Sequence, residues 1–193
     1  MTRGSYSYSR DNWVISSKEL GLLVDSARFK QIKILLVILY YTGCRYIEAK
    51  RLKINNIIID EDYVIFNIKN AKRKDKSMRQ LKIPRTVPFM EMVVNFVEDR
   101  ERRQLAGIAD ENLFMEFNYR KGIYELELAC KKADIPLSFH AFRKSRATAI
   151  ANSGVNANAL AGWLGHKSLN MSVWYVQNST ALTKDITESF KNE

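Results

Sequence analysis

The chain has 193 residues, enough for one domain with a sizeable hydrophobic core that needs neither disulfides nor metal to fold. Its 31 Lys and Arg against 21 Asp and Glu leave a net charge of +10, so a polyanion is the favoured partner, nucleic acid first among them. The two cysteines, Cys44 and Cys130, form no close-spaced pair, which argues against a zinc site and a secreted disulfide scaffold and fits a reducing, cytoplasmic setting.

Residues 1–12 are polar and lack the apolar run of a signal peptide. Ser16 followed by Glu19 is a capping-box pattern, and Leu20, Leu23 and Val24 at helical spacing predict the first helix. A second helix is expected over 29–41, ending at Gly43. Its apolar stretch 32–41 is interrupted by Lys33 and falls short of the ~18 residues that span a bilayer, so it reads as a buried helix and no membrane partner is expected. A short third helix carries Ile47 and Leu52. It leads into strands at 57–59 and 63–68, joined by the acidic turn Asp60, Glu61, Asp62, with 80–83 as a partner strand.

Beyond Pro88, the residues Phe89, Met92, Val93, Phe96 and Val97 form one face of an amphipathic helix. Another helix is expected over 123–132, and Ser138 caps one that runs to Gly154. Two shorter helices follow at 157–164 and 169–176. In the tail, Leu182, Ile186 and Phe190 recur every four residues, a narrow stripe that needs a groove to bury it. The fold class is therefore mainly α with a small antiparallel β-sheet (α+β). It divides into a polar segment 1–15, a domain over 16–178 and a tail helix over 179–193.

Breaking a phosphodiester without metal requires a nucleophile, cationic groups around the non-bridging oxygens and an acid for the leaving oxygen. The sequence holds these as scattered pieces. Arg45 follows a helix end, where its planar fork could grip phosphate. His140 and Arg143 lie three apart at the start of a helix, so both project from one face, and the helix terminus itself favours an anion. His166 follows Gly165 at a loop junction, and Tyr175 comes nine residues later. Read alone, each has a bland alternative: a surface arginine, a structural histidine, a core tyrosine.

Taken in order, Thr42-Gly43-Cys44-Arg45-Tyr46-Ile47-Glu48, His140-Ala141-Phe142-Arg143, Leu164-Gly165-His166 and Tyr175 resemble the motifs of the tyrosine recombinase or phage integrase family. The resemblance covers 16–176, almost the whole chain, and the ordered set is far more specific than any member of it. It implies the catalytic-domain fold of that family and a site-specific recombinase that cuts and rejoins double-stranded DNA through a 3′-phosphotyrosine on Tyr175. It implies Arg45 and Arg143 as phosphate clamps, His166 as a hydrogen-bond donor and His140 as an aid to proton movement, with no metal or other cofactor.

The family's catalytic lysine lies on or just after a β-hairpin, which points to Lys72, with Lys76 as the alternative if the hairpin is short. The resemblance further implies self-association on DNA into a tetrameric synapse, with the tail stripe either lent to a neighbouring subunit or docked on its own, within the host cell or on its nucleoid. Family members usually carry a separate N-terminal clamping domain; here about 15 residues precede the first helix, so weaker DNA binding is expected. Three other readings stay open: a metal-dependent nuclease using Asp60, Glu61 and Asp62, an inert DNA-binding module of the same fold, and a type IB topoisomerase-like relaxing enzyme.

Overall fold

A computed structural model describes residues 14–71, 77–114 and 118–180. Helix α1, Ser17–Ser26, starts as its sequence dictates: Ser16 Oγ accepts the Glu19 N–H, and the Glu19 carboxylate accepts the Ser16 N–H at 2.8 Å. Its buried face is Leu20, Leu23 and Val24. Helix α2, Lys30–Thr42, is apolar almost all round, which places it at the centre of the domain, and it stops where Gly43 turns left-handed. Removing one of its fully enclosed side chains, as in Leu36→Ala, would cost ~2–5 kcal/mol.

Helix α3 is short, Tyr46–Lys50, and Leu52 lies beyond it in the approach to a 3₁₀ turn, Ile54–Asn56. Strands β1 (Ile57–Ile59), β2 (Tyr63–Lys69) and β3 (Met78–Pro84) form an antiparallel sheet in that order. Its register pairs Ile59 with Val64, Tyr63 with Pro84 and Lys69 with Met78. The ladder continues past the strand ends, because the Asn70 N–H donates to the Ser77 carbonyl at 3.0 Å. β3 starts two residues earlier than the expected 80–83, and its alternation turns Arg79 inward beside Leu81 and Ile83.

Helix α4, Met90–Leu105, is preceded by Phe89 in the left-handed region. Helix α5, Tyr119–Ala133, begins four residues before the expected start because Asn118 caps it, accepting the Lys121 N–H. Ser138 caps α6, Phe139–Asn152. Two short helices follow, α7 (Ala157–Leu164) and α8 (Asn170–Gln177).

Around α2 pack α1, α3, α4, α5 and α6, and β3 touches both α2 and α7. The main core runs through these elements. A smaller cluster of Ala147, Ala151, Leu160 and Leu164 holds α6 and α7 together, and Tyr175 and Val176 of α8 pack against it. The class is the one expected, mostly helical with a three-stranded antiparallel sheet. Among the described residues no helix is long and apolar enough to cross a membrane. The tail stripe Leu182, Ile186 and Phe190 lies outside the described residues, as do Lys72 and Lys76.

Candidate active site

Two glycine turns and one arginine set the frame. Gly43 ends α2 at φ 62 and Gly165 ends α7 at φ 65, backbone values that a side chain resists. Space is equally restrictive. A Cβ on Gly43 would lie 2.9 Å from Arg146 Cβ and Leu164 Cδ2, and one on Gly165 would overlap Asn70 Oδ1 and come within 2.8 Å of Arg79 Nη1. Arg143, buried on α6, joins the two turns: Nη1–H donates to the Gly43 carbonyl at 3.0 Å and Nη2–H to the Leu164 carbonyl at 2.8 Å. These bonds fix the guanidinium and take two of its five N–H donors.

Arg45 and Arg79 are tied to the same place through Glu48. The Glu48 carboxylate, wholly buried, accepts from Arg45 Nη1 at 2.9 Å, from Arg79 Nη2 at 2.7 Å, and from the backbone N–H groups of Arg45 and Ala71. Burial pushes this carboxyl up, but Arg79 and the backbone donors outweigh it and hold it at about 2. Arg79 also bonds the Asn70 side chain and, through Nε–H, the Trp163 carbonyl at 2.9 Å, so one guanidinium links α3, the hairpin and the end of α7. Three arginines against one carboxylate leave an excess of positive charge, a setting for an anion.

His166 lies inside that field. Burial pushes its imidazole down first, and Arg143, Arg45 and Arg79 push it further, to about 4, so the ring is neutral at pH 7. Its Nδ1 is 2.7 Å from Ser172 Oγ, a contact that fixes the ring and directs Nε2 elsewhere. Arg143 is itself lowered to about 10 by burial and then by Arg45, consistent with a packed cluster of like charges. On α8, Tyr175 is half-buried against the α6–α7 cluster; burial raises its phenol above the ordinary value and Arg143 draws it back.

Arg45, His140 and Arg143 line one cavity of about 330 Å³. His140 sits exposed at its rim, in the first turn of α6. His166 and Tyr175 do not line that cavity; they approach Arg143 from the side of α7 and α8. Four of the six site residues expected from sequence, Arg45, His140, His166 and Tyr175, thus stand around a fifth, Arg143, and the sixth, Lys72, lies with its alternative Lys76 outside the described residues. Sequence reasoning gave no role to Glu48 and missed Arg79. The alternation Arg79, Leu81, Ile83 was the signal that could have found the latter.

Of the other basic positions, Arg100 is buried and Arg146 half-buried. Arg100 donates to the Asn112 carbonyl at 2.7 Å and Arg146 to the Tyr40 carbonyl at 2.9 Å. Asp60, Glu61 and Asp62 form an exposed turn, and among the described residues no group of three His, Cys, Asp or Glu side chains is placed to hold a metal ion.

Known proteins resemble the chain in sequence and in fold. The model of the phage integrase family matches residues 14–181. The chain is 27% identical to "Probable integrase/recombinase protein MJ0367" of Methanocaldococcus jannaschii, covering 82% of this chain and 50% of that protein. It is 29% identical to the integrase of Escherichia phage P2, covering 89% of this chain and 44% of that one. The chain therefore spans about half the length of these relatives.

Among solved structures, the catalytic domain of bacteriophage HP1 integrase matches with a TM-score of 0.60 at 19% identity, over 90% of this chain and 92% of that one. XerH site-specific recombinase bound to its difH substrate matches with a TM-score of 0.71 at 18% identity, over 92% of this chain and 54% of that one. At such identities the structural likeness speaks for the fold, and the family match, over far more than half of the residues, for descent. The chain belongs to the phage integrase family and has the fold of a tyrosine recombinase catalytic domain.

Proposed function

We propose that this chain is the catalytic part of a site-specific DNA recombinase, and that Tyr175 is its nucleophile. The observation that carries the reading is the gathering of Arg45, Arg143 and His166 in one positive field, with the Arg143 guanidinium the charge that acts on the Tyr175 phenol. In this reading the Tyr175 oxygen attacks the scissile phosphorus, forming a 3′-phosphotyrosine as the bond to the 5′-oxygen breaks. The phenol proton passes toward His140, and a lysine, Lys72 in our assignment with Lys76 as the alternative, protonates the leaving 5′-oxygen. Attack by a 5′-hydroxyl reverses the step and rejoins the strand, so bond energy is conserved and no nucleotide cofactor is consumed.

Arg45 and Arg143 clamp the non-bridging oxygens, and neutral His166 donates a hydrogen bond as charge develops on them. The partner is double-stranded DNA, and copies of the chain assemble on it for strand exchange. Structures of XerH with difH, and of a lambda integrase dimer bound to a COC′ core site, support that expectation by kinship.

A pool of nicked duplexes with a randomised core tests the reading. Duplexes trapped as protein–DNA adducts on denaturing gels are expected from the native chain and absent from Tyr175→Phe. An adduct that persisted in Tyr175→Phe would reject the assignment. Supercoil relaxation without strand exchange on the recovered site would mark a topoisomerase-like enzyme instead.

A further inference from the structure

The cavity that holds Arg45, His140 and Arg143 is walled by rings as well as by charge. Tyr46, Tyr119 and Phe139 line it too, and phosphoryl transfer has no use for them. Their arrangement is built in from below. Tyr46 is buried, its ring centroid 4.4 Å from that of Phe139 and 5.3 Å from that of Tyr119, edge-on to the latter at 68°. Its hydroxyl donates to the Asn118 carbonyl at 3.4 Å, and Gly122 leaves room for it, since a Cβ there would overlap the hydroxyl. Tyr119, by contrast, is 59% exposed. A second cavity, of about 300 Å³, opens against the same Tyr119, Phe139 and His140 and continues over Leu126 and Leu137.

A phosphate gripped by Arg45 and Arg143 carries a nucleoside on each side, so a base that leaves the stack beside it has the space these rings border within reach. Within the duplex stack, a base shows its faces only to its neighbours. Out of the stack it offers a π-face, which aromatic side chains accept whatever the base, because the contact needs no hydrogen-bond pattern. At about 330 Å³ the cavity is at the lower end of the ~300–1,000 Å³ range in which small molecules are held.

We propose that Tyr119 and Phe139, seated on Tyr46, form a subsite for the nucleobase next to the cleaved phosphate, taken out of the stack and laid against the rings. The inference rests on the reading above, which puts the phosphate on Arg45 and Arg143. It adds a contact that registers the cleaved position by shape and stacking. Because unstacking is cheaper where the base is mismatched, cleavage should be faster with a mismatch at that position.

The test uses the full chain and a nicked duplex recovered from the randomised pool, with each nucleoside flanking the cleaved phosphate replaced in turn by an abasic sugar. Tyr119→Ala should slow adduct formation on the intact duplex by about 5- to 150-fold, the range of base–aromatic stacking. Tyr119→Phe should keep the native rate. One of the two abasic duplexes should slow the native chain to a similar degree, and Tyr119→Ala should lose nothing further on it.

Native rates from Tyr119→Ala, or losses that multiply on both abasic duplexes, would overturn the subsite while the Tyr175 adduct stood. If the native chain formed no Tyr175-linked adduct with any member of the pool, the underlying reading would fall and the subsite with it. Exposure of Tyr119 at the cavity mouth makes its substitution one that the fold tolerates.

Discussion

Arg79 donates to Glu48 at 2.7 Å with both side chains buried, so a strand residue outside every recognised motif holds the carboxylate that in turn holds Arg45. Removing one partner of such a pair leaves the other charge enclosed and unmatched. Arg79→Met is expected to destabilise the fold by ~3–5 kcal/mol, read as a lowered thermal midpoint. Arg79→Met combined with Glu48→Met should cost less than the two changes summed. Strict additivity would show that the two side chains are energetically independent.

The same carboxylate makes stability depend on acid. Its folded value, about 2, lies below the ordinary carboxyl range, so the native state releases its proton more readily than the unfolded chain. The stabilisation is present above about pH 4.5 and is lost as pH falls toward 2. It amounts to something on the order of 3 kcal/mol. Urea midpoints measured across that window should fall for the native chain and fall less for Glu48→Gln.

His166 titrates in the opposite chemical sense but with the same direction on stability. Its folded value of about 4 is below that of a free imidazole, ~6.5, so between those values the unfolded chain binds more protons and stability declines as pH is lowered. The chain has two histidines, His140 and His166, so two imidazole resonances are expected by NMR, one of them titrating near pH 4. Inorganic phosphate added to the site would offset the charge of Arg143 and Arg45, and should move that titration upward. An unchanged value at saturating phosphate would argue against a phosphate site beside His166.

Gly165→Ala should be costly although the glycine itself has no side chain to lose. The new methyl would meet Asn70 and Arg79 in a left-handed turn, and the turn immediately precedes His166. A loss of ~1–3 kcal/mol from backbone strain alone is expected, with a larger one if the Arg79 network gives way. Cleavage should fall along with stability in this variant.

Arg143→Lys tests geometry rather than charge. A lysine has a single ammonium and cannot bond the Gly43 and Leu164 carbonyls while facing a phosphate. Adduct formation is expected to fall by ~10²–10³-fold, the scale for loss of one oxyanion donor. A rate within a few-fold of native would place the clamp elsewhere.

Much of this was legible from the residues. Gly43, Gly165, Ser16 and Ser138 announce turns and caps through local backbone chemistry, and each stands where its spacing put it. Arg45, His140, Arg143, His166 and Tyr175 stand out as candidates in the sequence because each belongs to the ordered set of short motifs. Arg79 was not, because β3 was read two residues short and an arginine among lysines looks like solvated charge; only pairing with β2 as far as Lys69 shows that its side chain points inward. Tyr119 escaped notice for a similar reason, since α5 begins four residues earlier than periodicity suggested, at a cap on Asn118. Long-range contacts such as that between Tyr46 and Gly122 have no sequence signature at all.

The claim on which the rest depends is the covalent role of Tyr175. Tryptic digestion of the trapped adduct, followed by mass mapping, reads it directly: the nucleotide remnant should sit on the peptide 168–184, in which Tyr175 is the only tyrosine. A remnant on any other peptide, or on a residue of this one other than Tyr175, would contradict the account.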